Sequence, residues 1–176
     1  MRLFISINFN EEICNKIYDA ICEIKKISNK GNFSRKENLH VTLAFLGEIN
    51  PEDVDKIKAC MDRVKGENFD MHIQGLGRFK RTGFDIYWIG IEQSHAMNKL
   101  HALLNNELND NGFPVELREF KPHLTLGRQV ICHYQEAKKI IEDLGLIIQP
   151  VNKFSLMLSE RKNGKLTYTE LYTKNI

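Results

Sequence analysis

The sequence predicts an α+β fold of two similar lobes, each mainly antiparallel sheet with flanking helices, around a central groove. Three observations carry that expectation. Strand-like and helix-like patterns alternate along the 176 residues without the glycine-rich loops of nucleotide-binding parallel sheets. Several strands follow one another through short turns, a connection that makes neighbours antiparallel. A His-x-Thr-Leu order occurs once in each half, at His40-Val41-Thr42-Leu43 and at His123-Leu124-Thr125-Leu126. No composition shift or Pro/Gly/Ser linker divides the chain, so residues 1–176 are expected to form a single bilobal domain.

The elements follow from periodicity. Met1 to Phe9 alternates and carries Leu3, Phe4, Ile5, Ile7 and Phe9, which reads as a strand. Asn10 can cap a helix, Glu11 and Glu12 suit its positive end, and Ile13, Ile17, Ile21 and Ile24 recur at helical spacing. That helix is expected to run to about Ser28 and to stop at Asn29-Lys30-Gly31, followed by a polar link. The first His-x-Thr strand comes next and ends at Gly47. Asn50-Pro51 opens a second helix whose buried face is Val54, Ile57, Met61 and Val64. Phe69 to Leu76 alternates, Gly75-Leu76-Gly77 suggests a bulge, and Asp85 to Ile91 is the partner strand across a turn at Thr82-Gly83. Ser94 to Asn109 reads as a third helix with the stripe Met97, Leu100, Leu103, Leu104 and Leu108, ended by Asp110-Asn111-Gly112. After the second His-x-Thr strand, Tyr134 to Leu144 reads as a helix. Lys153 to Glu160 and Lys165 to Tyr172 form a closing hairpin about Lys162-Asn163-Gly164.

Composition narrows the function classes. Hydrophobic residues make up 42% and charged residues 27%, near the averages for globular proteins, which disfavours disorder and fibrous classes. A net charge of +2 does not imply wholesale coating of nucleic acid. Basic residues do gather, in Arg78, Lys80 and Arg81, in Arg118, Lys121 and Arg128, and in Arg161, Lys162 and Lys165, which fits a modest anionic ligand. Cys14, Cys22, Cys60 and Cys132 show no Cys-x-x-Cys spacing, and neither a secretory signal nor an apolar run of about 20 residues is present. A cytoplasmic protein with free thiols and no membrane association is expected.

The repeated motif suggests chemistry. Residues two apart on a strand share a face, so His40 and Thr42 point together, and so do His123 and Thr125. Across a groove, two imidazoles would flank one ligand. In-line displacement at phosphorus needs that arrangement, one group taking a proton from the attacking oxygen and another giving one to the leaving oxygen. Histidine, with an unperturbed pKa of about 6.5, suits either task. Thr42 and Thr125 could hydrogen-bond the non-bridging oxygens as charge accumulates there. No metal and no cofactor is needed, and neither motif carries the Cys, Asp or Glu of an ordinary metal ligand set. His72, His95, His101 and His133 lack a repeated context and are expected to be structural or solvent-facing. Phe4, Phe9 and Phe120 could stack on a base, although core packing explains most such residues.

The two motifs, with Phe45-Leu46-Gly47 after the first and Phe120-Lys121-Pro122 before the second, resemble the signatures of the 2H phosphoesterases. Among these the chain is most similar to the RNA 2′,3′-cyclic phosphodiesterases, long called 2′-5′ RNA ligases. Arg2-Leu3-Phe4-Ile5, Gly75-Leu76-Gly77-Arg78-Phe79 and Tyr87-Trp88-Ile89-Gly90 extend the likeness over nearly the whole chain. The resemblance implies a bilobal fold, an RNA substrate ending in a 2′,3′-cyclic phosphate, and hydrolysis to a 2′-phosphate. It implies His40 as proton donor to the leaving oxygen and His123 as proton acceptor, where the residues alone leave the two roles open. Reverse 2′-5′ ligation would be a secondary activity. Arg128 resembles the arginine that follows the second motif and contacts phosphate, yet strand parity puts it on the face opposite His123 unless Gly127 distorts the strand. No obligate protein partner is implied. Competing readings keep the chemistry but change the substrate to a 2′-5′-linked oligonucleotide or a small cyclic phosphate, or keep the groove as a nucleotide- or RNA-end-binding module without turnover.

Overall fold

Asn10 starts the first helix as expected: its side chain accepts a hydrogen bond from the Ile13 N–H at 2.9 Å, and Glu11 and Glu12 fill the first turn. The computed structural model describes residues 1–113, 115 and 119–176, so Arg118 of the second basic group lies outside the described residues. The elements are β1 (Arg2–Asn8), α1 (Glu11–Lys26), β2 (Ser28–Phe33), β3 (His40–Glu48), α2 (Val54–Arg63), β4 (Phe69–Arg81) and β5 (Phe84–Ile91). They continue with α3 (His95–Asp110), β6 (His123–Cys132), α4 (Tyr134–Glu142), β7 (Ile147–Val151), β8 (Lys153–Lys162) and β9 (Lys165–Asn175). Single 3-10 turns, Lys36–Asn38 and Pro51–Asp53, lead into β3 and α2.

The strands build two antiparallel sheets, ordered β3-β1-β8-β9 and β2-β6-β5-β4-β7. These lobes are not the two halves of the sequence. The C-terminal hairpin β8-β9 completes the sheet of β1 and β3, whereas β2, from the N-terminal half, edges the other sheet. Helices α2 and α3 cover the four-stranded sheet, and α1 and α4 the five-stranded one. One continuous apolar core joins them, with Ile5 and Val41 from the first sheet and Ile73 and Leu124 from the second. Gln149 adds a polar tie between lobes: from β7 it donates to the Asn8 carbonyl at 3.0 Å and accepts from the Asn10 N–H at 3.1 Å.

Two strands escape the sequence patterns, both at edges. Ser28–Phe33 carries no apolar side chain before Phe33 and was expected as helix stop and link, yet it pairs antiparallel with β6, Ser28 opposite Cys132 and Phe33 opposite Gly127. An edge strand open to water on both faces needs no hydrophobic alternation, and its pairing comes from the neighbour. β7 alternates buried Ile147, Gln149 and Val151, and Pro150 is tolerated because β7 is the far edge of its sheet. α3 begins beside Ser94 as expected, with the Ser94 hydroxyl accepting from the Met97 N–H, but the buried stripe takes Asn105 and leaves Leu103 exposed.

Candidate active site

Both His-x-Thr strands fold with the expected parity. Val41, Leu43, Leu124 and Leu126 are buried in the core, while His40, Thr42, His123 and Thr125 lie half-buried on the opposite faces. β3 edges the first sheet and β6 lies one strand from the edge of the second, and the two strands meet where the lobes join. Between them opens a groove of ≈ 1090 Å³ that both histidines, both threonines and Arg128 line.

The two imidazoles are held in the same way. His40 Nδ1 lies 2.7 Å from the carbonyl oxygen of Asn38, and His123 Nδ1 lies 2.7 Å from that of Lys121, each two residues back along the chain. A carbonyl only accepts, so in both rings Nδ1 carries the proton and Nε2 is the titrating nitrogen. His40 Nε2 also sits 3.1 Å from Thr42 Oγ1. With the ring neutral, the threonine hydroxyl donates to it. No equivalent bond ties His123 Nε2 among the described residues.

Aromatic rings collar each histidine. Phe4 lies 4.8 Å and Tyr168 5.2 Å from the His40 ring, centroid to centroid, and Phe79 and Trp88 lie 5.6 and 6.0 Å from His123. Burial holds the His40 imidazole below its ordinary value; the Asn38 hydrogen bond partly offsets this, and charge on His123 adds to it. Trp88 in turn fixes a glycine: a β-carbon at Gly77 would collide with the indole, so the Gly75-Leu76-Gly77 stretch is where the strand must let Trp88 lie flat. The expected bulge is present, with Gly75 skipped in the pairing of β4 with β5.

Arg128 lies on the groove side, against the parity expectation. Thr125 pairs with Trp88 and Gly127 with Tyr87, so Leu126 is an extra residue and the alternation changes phase there. Leu126 and Gly127 are both buried in succession, which returns Arg128 to the face of His123 and Thr125. Among the described residues the charged lining is one-sided, with Arg2, Arg35, Lys121, Arg128, Arg161 and Lys165 against Glu119 alone. Arg78 is spent elsewhere, paired to Asp85 at 2.9 Å and lying over the Tyr134 ring.

Of the three phenylalanines raised from the sequence, Phe4 packs on His40, Phe120 lines the groove, and Phe9 lies outside it against the core. His101, expected to be structural or solvent-facing, stacks on Phe120 at 3.9 Å on the groove wall. Tyr168, Arg2 and Arg35 went unnoticed in the sequence because the C-terminal hairpin, the N-terminal strand and the link before β3 had no motif of their own. The likeness of Arg2-Leu3-Phe4-Ile5 to the family was the available signal for the second of these.

Comparison with known proteins agrees with this geometry. The family model of the 2′-5′ RNA ligase superfamily matches residues 12–161. The chain is 33% identical to the RNA 2′,3′-cyclic phosphodiesterase of Thermotoga maritima, over 98% of this chain and 94% of that protein. It is 31% identical to the Archaeoglobus fulgidus protein of the same name, over 73% of this chain and 72% of that one. In fold it is similar to Escherichia coli LigT in complex with 3′-AMP, with a TM-score of 0.80 at 23% identity, covering 99% and 97% of the two chains. A Thermus thermophilus structure superposes at a TM-score of 0.81 and 23% identity, covering 99% and 97%. The chain belongs to the 2′-5′ RNA ligase superfamily of 2H phosphoesterases, and it is a hydrolase.

Proposed function

We propose that the protein is a metal-independent RNA 2′,3′-cyclic phosphodiesterase, which adds water to the phosphorus of a terminal cyclic phosphate and leaves a 2′-phosphate. The observation that carries this reading is the matched pair of imidazoles, each with Nδ1 tied to a carbonyl and Nε2 left to one basic groove. His123 Nε2, without a partner among the described residues, takes the proton of the attacking water. His40 Nε2–H gives a proton to the 3′ oxygen as the P–O3′ bond breaks. Protonating His40 reverses its bond to Thr42: the ring now donates, and the threonine proton is freed for a non-bridging phosphate oxygen. Thr125 donates from the other strand, and Arg128 supplies fixed positive charge. Microscopic reversal joins a 2′-hydroxyl to a cyclic phosphate end, which would be ligation.

The chain works as one bilobal unit over 1–176, a reading supported by the shared core and by the site's need for one strand from each sheet. Its four unpaired thiols fit a reducing cytoplasm, and among the described residues no helix is long and apolar enough to cross a membrane. The test is turnover, with chelator present, of three substrates side by side: RNA with a 2′,3′-cyclic phosphate end, a 2′-5′-linked oligonucleotide and a small ribose cyclic phosphate. Hydrolysis of the RNA at the highest kcat/KM is expected. Preference for either of the others would change the substrate, and no turnover of any would overturn the reading.

A further inference from the structure

The link between β2 and β3, residues 34–38, reaches both histidine strands without supplying a reacting group. At its start, Ser34 continues the pairing of β2 with β6. Its N–H donates to the Leu126 carbonyl at 2.8 Å, and its hydroxyl donates to the Thr125 carbonyl at 2.7 Å. Those carbonyls belong to the step at which β6 changes phase between His123 and Arg128. At its end, Asn38 presents the carbonyl that lies 2.7 Å from His40 Nδ1.

Between these ends the link grips the C-terminal hairpin. Leu166 lies on β9, the outer strand of its sheet, and its carbonyl accepts from Arg35 Nη2 at 2.9 Å and from Asn38 Nδ2 at 3.0 Å. A carbonyl oxygen has two lone pairs, and both are taken. Leu166 stands two residues from Tyr168, both line the groove, and the Tyr168 ring closes edge-on against His40 at 5.2 Å. One short segment therefore fastens the second histidine strand, the hairpin and the His40 ring to one another. It does so with Arg35 Nε and Asn38 Oδ1 buried and without a partner among the described residues. Unpaired buried polar atoms lower stability, so packing alone does not account for these side chains.

We propose that Asn38 and Ser34 are positioning residues of the reaction: Asn38, braced on Leu166, fixes the tautomer and direction of the His40 ring, and Ser34 sets the His123 strand against it. The proposal rests on the reading of the two histidines as an acid–base pair and assigns what holds that pair in line. Chemistry at phosphorus depends on such alignment, since misplacement by about 1 Å can cost about a hundredfold in rate.

The test uses Asn38→Leu, which keeps the size of the side chain and removes its donor, with Ser34→Ala and Ser34→Thr, the last of which keeps the hydroxyl. On a short RNA with a 2′,3′-cyclic phosphate end, Asn38→Leu and Ser34→Ala are each expected to lower kcat about tenfold or more, with KM held within about twofold. Ser34→Thr is expected to restore kcat. An unchanged kcat in either variant, even with a lowered Tm, or a loss carried by KM, would overturn the proposal. Proton–nitrogen correlation NMR of histidine-labelled protein, without substrate, separates the positioning from the activity. The parent is expected to carry the proton on Nδ1 of both rings. Asn38→Leu is expected to admit the Nε2–H tautomer at His40 and to leave His123, held by the Lys121 carbonyl, unchanged. That result upholds the positioning role even where the parent turns over no cyclic phosphate. A His40 signal that Asn38→Leu does not alter overturns the role even where the parent is active.

Discussion

His40 combines a half-buried ring, a fixed tautomer and a threonine on its titrating nitrogen. In the free protein, burial disfavours its charged form, so it loses its proton below the ordinary value of about 6.5. A bound phosphate brings negative charge that favours the imidazolium. An acid must be protonated to act, so His40, as the proposed acid, is expected to set the alkaline limb of the pH profile. That limb is expected at lower pH in kcat/KM, which reports the free protein, than in kcat, which reports the complex. Coincident limbs, or an alkaline limb that survives His40→Ala, would contradict the assignment. The histidines and threonines were legible in the sequence because a two-residue period needs only local strand geometry. Arg128 was named only through the family likeness, and its face was not legible, since a single extra residue reverses the face and nothing in Leu126 announces that it will be the one skipped.

At the scale of elements, the second imidazole depends on a β4–β5 hairpin that carries no catalytic group. Trp88 packs over Gly77 and edges His123, so the glycine acts on the site through the indole. Gly77→Ala is expected to displace Trp88 and cost about tenfold or more in kcat/KM, with a stability loss of about 1–3 kcal/mol from overpacking. Trp88 is the only tryptophan, so its emission reports the displacement directly. Unchanged emission together with lost activity would separate the glycine from the ring. Helices and central strands were legible because caps and buried stripes mark them, as at Asn10 and along Met97, Leu100, Leu104 and Leu108. β2 and β7 were not, because an edge strand takes its conformation from its partner and tolerates Gly31 or Pro150.

Across the whole molecule, the chain crosses between sheets before its site is complete. β1 and β3 wait for β8 and β9 from the far end, and Tyr168 of β9 then closes against His40 and Phe4. Two similar lobes with a groove were legible in the doubled motif, but not this interleaving, which only long-range strand pairing decides. In the proposed reaction each lobe supplies one imidazole to a single ligand, so neither lobe would hold a complete site. The most direct measurement follows the phosphorus NMR signal of a short RNA with a 2′,3′-cyclic phosphate end, in chelator, with the parent and with His40→Ala and His123→Ala. The parent is expected to yield only a 2′-phosphate end, and each variant to be slower by about a hundredfold to ten-thousandfold. A 3′-phosphate product, or a variant that retains the parent's rate, would contradict hydrolysis by a pair of histidines.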